Sequence, residues 1–127
     1  MGDHPPKVGA MFTLQAEPHK HATVLRLTGD VLLPDVRQFS TSLESFLLAP
    51  NIRQVILDLS KTGKMDNSGL GVLISASTRA RAHGRRLVLL MPAPHIAELL
   101  RTTKIEGFFP TFDSDEELKG YIPDVAE

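Results

Sequence analysis

Lys64-Met65-Asp66-Asn67-Ser68-Gly69-Leu70-Gly71-Val72-Leu73 joins an apolar strand to a helix, and the fold is read outward from this junction. Upstream, Val55-Ile56-Leu57-Asp58-Leu59 is β-branched and apolar enough for a strand covered on both faces. Downstream, Leu70, Leu73, Ile74, Ala76 and Ala80 recur at helical spacing, and Gly84 marks the stop just past His83. Asp66, Asn67 and Ser68 carry short polar side chains able to accept from the free N–H groups of a first helical turn, where the dipole also favours an anion. Two glycines follow in that turn, at a cost of about 1 kcal/mol each relative to alanine, and they leave room for another backbone to approach.

The flanking segments alternate between strand and helix patterns. Met11–Leu14 and Val24–Thr28 read as a hairpin joined through Glu17-Pro18-His19-Lys20-His21, and Gly29-Asp30 is expected to break the second strand. Val36, Phe39, Leu43, Phe46 and Leu47 form a helical stripe that ends near Pro50-Asn51. Ser60–Lys64 reads as the loop that leads into the junction. Leu87–Met91 is the next strand, Pro94 starts a helix carrying Ile96, Leu99 and Leu100, and Phe108–Phe112 is a last short strand. Ser114-Asp115-Glu116-Glu117 is a capping-box signal for a final helix with Leu118, Tyr121 and Ile122 inward. The order ββαβαβαβα makes an α/β domain with a mixed, mostly parallel sheet, its first strand antiparallel to the second.

A chain of 127 residues suits a single domain with a real core. It contains no cysteine, which excludes thiolate metal sites and thiol nucleophiles and fits a reducing compartment. Fourteen basic against fifteen acidic residues leave no broad basic footprint for nucleic acid, though a local patch stays open; Arg79, Arg81, Arg85 and Arg86 crowd the end of the central helix, where positive charge suits its dipole. The longest apolar runs fall far short of the ~20 residues of a membrane span, and the start of the chain lacks the apolar core of a signal peptide, so a cytoplasmic location is expected.

Enzymatic motifs are not met. A phosphate loop around Gly63-Lys64 fails because Asp58 and Met65 stand where glycine and serine or threonine are needed, and a dinucleotide loop at Gly69-Leu70-Gly71 fails at Ile74. Ser68 lacks a hydrolase elbow, which would need glycine at Asp66. The histidines at 4, 19, 21, 83 and 95 have no thiolate or carboxylate cluster beside them, so no metal and no cofactor is expected. Asp58, at the strand's end, suits a structural hydrogen-bonding role better than a catalytic one.

Met65-Asp66-Asn67-Ser68-Gly69-Leu70-Gly71-Val72-Leu73, preceded by Val55–Leu59, resembles the signature of STAS domains, specifically the bacterial anti-sigma factor antagonists. The likeness extends through Leu27-Thr28-Gly29-Asp30-Val31, Arg85–Leu89 and Phe112–Glu117. It implies a βα superhelix with helices largely on one side of the sheet, spanning 11–123 between a flexible segment at 1–10 and a tail at 124–127. It also implies action by binding rather than catalysis. Antagonists of this family dock on an anti-sigma factor that is also a serine kinase with a histidine-kinase-like ATPase fold, and phosphorylation of the serine after the motif aspartate switches them off.

Carried onto this chain, the partner-binding set is Asp30, Asp66, Asn67, Ser68, Gly69, Leu70, Gly71 and Val72. The acceptor position holds Asn67, which cannot take a phosphoryl group, and Ser68 is the adjacent hydroxyl. Leu32 also departs from the family, which often has an acidic residue there. Three outcomes stay open: a permanently competent antagonist, Ser68 as substitute acceptor, or a switchless scaffold of a stress-signalling assembly or adaptor of a lipid or anion transporter. The chain is expected to be a monomer or a homodimer.

Overall fold

A computed structural model describes residues 11–126; the segment read as flexible at 1–10 lies outside them. The chain forms β1 (Phe12–Pro18), β2 (Ala22–Val31), α1 (Val36–Leu47), β3 (Gln54–Asp58), β4 (Thr62–Met65), α2 (Asn67–Ala82), β5 (Arg86–Leu90), α3 (Pro94–Thr102), β6 (Thr111–Phe112) and α4 (Asp115–Tyr121). The sheet runs β1-β2-β3-β5-β6, with β1 antiparallel to β2 and the remaining neighbours parallel.

Alternation along the strands sorts side chains to two faces. Leu25, Leu27, Val31, Val55, Leu57, Leu59, Leu87 and Leu89 point to the face packed by Phe39 and Leu43 of α1, Leu70 and Leu73 of α2, and Ile96 and Leu100 of α3. Ala22, Val24, Ile56, Val88 and Leu90 point the other way, against Leu118 and Ile122. Three helices therefore cover one face and α4 covers part of the other. Burial on both sides explains why Val55–Leu57 of β3 and Leu87–Leu90 of β5 are apolar without alternation.

Two segments depart from the sequence reading, for one reason. Gly29-Asp30 does not end β2, which runs on to Val31, and residues read as a connecting loop form β4 on the same edge of β2 that β3 occupies. Gly29 adopts φ +96°, which an L side chain rarely tolerates, and an added Cβ would stand 2.2 Å from the Met11 carbonyl oxygen. The bend it permits lets β2 exchange β3 for β4, and Asp30 secures the exchange by accepting from Lys64 N–H at 2.8 Å.

The C-terminus also differs in detail. Tyr121, expected inward, is 42% exposed and stacks at a tilt on Phe112, with ring centroids 4.8 Å apart. Only half of the capping box forms as anticipated: Glu117 N–H donates to Ser114 Oγ at 3.1 Å, but the Glu117 carboxylate reaches one residue further back, to Asp113 N–H at 2.9 Å. The segment set apart as a tail begins inside a 3-10 turn over Pro123–Ala126, where Asp124 accepts from His21 N–H and Val125 packs on the α4 cluster.

Candidate functional site

The junction of β4 and α2 is built around one carboxylate. Asp66 sits in extended conformation as the N-cap of α2, and its Oδ1 accepts from Ser68 N–H at 3.1 Å and Gly69 N–H at 3.2 Å. The same oxygen accepts the Ser68 hydroxyl proton, while Oδ2 takes Leu33 N–H at 3.1 Å. Capping was expected from any of three side chains; Asp66 does it alone. It also occupies the positive end of the helix dipole, so the anion favoured there is one the chain supplies itself.

The Ser68 hydroxyl, and then the surrounding N–H donors of Gly69, Leu33 and Ser68, hold the Asp66 carboxyl below the usual carboxylate range. A depressed pKa in the folded state means that the stabilisation is complete above the unfolded value of 3.8 and is lost as pH falls through the folded value. Acid unfolding followed by circular dichroism is therefore expected to fall more steeply below about pH 4 in the wild type than in Asp66→Asn, which has no carboxyl to protonate.

Around this cap the predicted residues divide into surface and support. Asn67 is exposed, and its side chain makes no hydrogen bond among the described residues; Ser68 is half-buried and Gly71 is open. Gly69 and Leu70 are buried, and Val72 is half-buried against the core, so these three hold the surface up from beneath. Asp30 is half-buried and engaged with β4 through Lys64 N–H, beside the Gly63 carbonyl that meets His95 Nε2 at 2.7 Å. Met65 is buried under the helix start.

The two glycines separate cleanly. A Cβ at Gly69 would lie 2.7 Å from Met65 Cγ and 3.2 Å from the Val31 carbonyl oxygen, whereas one at Gly71 would meet nothing within 4 Å. Gly69 is thus required by the fold's own packing, and Gly71 is not. In urea unfolding, Gly69→Ala is expected to destabilise by about 1–2 kcal/mol after its gain in helix propensity, and Gly71→Ala to stabilise by about 0.5–1 kcal/mol.

Sequence reasoning missed Leu33. It is 66% exposed beside Asp66, on a 3-10 turn over Leu33–Asp35 in which the Asp35 carboxylate accepts from Leu32 N–H at 3.2 Å. The available signal was the pair Leu32-Leu33 ahead of Pro34, since a turn cannot bury two adjacent side chains. Leu33, Asn67 and Gly71 are exposed and Ser68 is half-buried on the segments that Asp66 ties together.

Asp58 behaves as the sequence reading had it. Buried at the end of β3, it accepts from Arg26 Nη1 at 2.6 Å and from Ser60 N–H at 2.9 Å, and Arg26 is shared with Glu17 at 2.8 Å. A cavity of about 370 Å³ beside it is lined by Arg26, Asp58 and Ser60 together with Gln15, Thr28, Lys61 and Met91. Among the described residues no cluster of histidine and carboxylate could hold a metal, and no helix is long and apolar enough to cross a membrane.

Residues 14–111 match a family model described as Mlab, STAS domain. The chain belongs to the STAS domain family. Solved STAS structures share its fold. The unphosphorylated anti-sigma factor antagonist SpoIIAA superposes with TM-score 0.71 at 19% identity, over 86% of this chain and 96% of that one. An anti-sigma factor antagonist from Mycobacterium paratuberculosis gives TM-score 0.77 at 15% identity, over 89% and 95%. The phosphorylated form of the Bacillus protein SpoIIAA gives 0.66 at 21% identity, over 87% and 99%. At such identities the likeness concerns the fold alone.

Proposed function

We propose that this STAS domain is a non-enzymatic regulator whose α2 N-terminal patch docks on an anti-sigma factor or related histidine-kinase-like ATPase, and that it does so without a phosphoserine switch. The observation that carries the reading is the division of labour at the helix start. Asp66 satisfies the helix, so capping gives no reason for Asn67, which stands exposed where antagonists of the family carry the modified serine.

Ser68 is a poor substitute acceptor on physical grounds. Its hydroxyl is donated to Asp66. A phosphate there would remove that donor and place about 1.5–2 negative charges beside an existing carboxylate. With no transferable group at Asn67 and an occupied one at Ser68, the patch stays in its docking-competent form. The switchless geometry equally suits an adaptor or scaffold that holds an ATPase partner permanently, and partner identity distinguishes the two.

The test is phosphoryl transfer and binding with an anti-sigma factor of the histidine-kinase-like ATPase class. Wild-type protein is expected to bind without becoming labelled by ATP, and Asn67→Ser to become labelled at residue 67. Labelling of wild-type Ser68 would refute the switchless reading, and absence of binding by either form would refute the docking reading.

A further inference from the structure

The end of the domain away from Asn67 carries a different kind of surface. Arg53, Gln54, Arg81, Gly84, Arg85 and Arg86 line an open cavity of about 500 Å³ where β3 and β5 begin and α2 ends. Register places Gln54 beside Arg86, the Arg86 N–H bonds to the Arg53 carbonyl at 2.9 Å, and Gly84, at φ +72°, turns the chain from α2 into β5. The 16 residues of α2 put this cluster about 24 Å from Asn67 along the helix axis, so both surfaces are accessible at once.

The partners of these arginines distinguish them from Arg26, Arg79 and Arg101, while Arg37, exposed on α1 and likewise without a carboxylate, stands apart from any such cluster. Arg26, Arg79 and Arg101 each pair with a carboxylate. In the cluster, Arg85 donates to the Leu47 carbonyl at 2.6 Å, Arg81 donates to the Phe108 carbonyl at 2.8 Å and lies over the Phe108 ring, and Arg86 donates to Tyr121 Oη. Arg53 has no side-chain bond, and none of the four has a carboxylate within 4.0 Å among the described residues. Nearby Glu44 is engaged with Arg79, and Asp124 with His21 N–H.

Neutral oxygens thus orient three guanidinium groups without cancelling their charge. Each guanidinium has five N–H donors, of which these contacts use one. The C-terminal ends of α1 and α2 contribute about half a negative charge each, against four positive charges. Gln54, half-buried, lines the same cavity and brings an amide NH2 donor.

We propose that Arg53, Arg81, Arg85 and Arg86, with Gln54, form a binding site for a phosphate group, supplied either by a free phosphate compound or by an anionic lipid headgroup. Planar forks in a concavity suit tetrahedral oxyanions through paired, charge-assisted hydrogen bonds. The site stands on its own geometry and does not depend on what docks at Asn67.

The test is a heteronuclear NMR titration of the full chain with inorganic pyrophosphate at constant ionic strength, alongside co-sedimentation with phosphatidylcholine vesicles with and without phosphatidic acid. Saturable shifts are expected at Arg53, Gly84, Arg85 and Arg86. Arg53→Gln, which breaks no internal bond, is expected to raise the midpoint about tenfold, and Arg37→Gln to leave it unchanged. Retention on phosphatidic acid vesicles that is lost in Arg53→Gln assigns the headgroup as source, and saturation by pyrophosphate without retention assigns a free phosphate. Shifts that grow without saturating, or a midpoint unmoved by Arg53→Gln, would overturn the proposal.

Discussion

Gly29→Ala is expected to lower folding stability by about 3 kcal/mol, a large share of the ~5–15 kcal/mol that holds a domain together. Two costs add. Alanine at φ +96° is strained whatever its surroundings, and its Cβ would stand 2.2 Å from the Met11 carbonyl oxygen and 3.0 Å from Phe12 Cα, backbone atoms at the start of β1 and just before it. Relief would need β1 to move away, yet Asp30 N–H is bonded to that same Met11 carbonyl at 2.9 Å. The damage reaches the docking patch, because β2 beyond Gly29 is what β4 pairs with, and β4 leads directly into Asp66. Urea unfolding of Gly29→Ala beside Gly71→Ala would show shifts of opposite sign. A Gly29→Ala protein as stable as wild type would mean that the bend in β2 is not a requirement of the fold.

Asn67→Asp is expected to weaken partner binding by a factor of roughly ten to a hundred while leaving the free domain at least as stable. A carboxylate in the first turn favours the helix dipole, so loss of affinity could not be attributed to unfolding. In the complex the new charge would be desolvated next to Asp66, with no cation of this chain among the contacts of that cap. Asn67→Ala separates charge from contact, since it removes the amide without adding a charge and should cost much less. Titration calorimetry of the three forms against one partner measures both effects, and equal affinities would place the contact elsewhere.

What could be read from the sequence follows from how local each signal was. Val55–Leu59 and Leu87–Leu90 announced themselves because burial on both faces requires continuous apolar residues. The stripe of α1 and the cap at Asp66 were visible for the same reason, as each is settled within one or two turns. β4 was not visible: Thr62-Gly63-Lys64-Met65 has neither alternation nor β-branched density, and it is a strand only because a bent β2 offers an edge and Asp30 holds Lys64. Gly29 was read as a strand end because Asp30 follows it, although a glycine inside a strand also marks a bulge or bend, as it does here. At the candidate site, the motif residues adjoin one another in the sequence. Leu33 arrives from 33 positions upstream through a single bond to Asp66, and local patterning cannot foresee such a contact. Arg53 joins the basic cluster by the same kind of long-range pairing, through strand register with Arg86.

The central claim is that the start of α2 is the surface a partner reads. Amide hydrogen exchange of this domain, alone and saturated with its ATPase-type partner, tests it most directly. The account predicts new protection at Leu33 and from Asn67 to Val72, with the Arg85-Arg86 end unchanged. A stable complex that leaves exchange at Asn67 to Val72 as fast as in the free domain would contradict it.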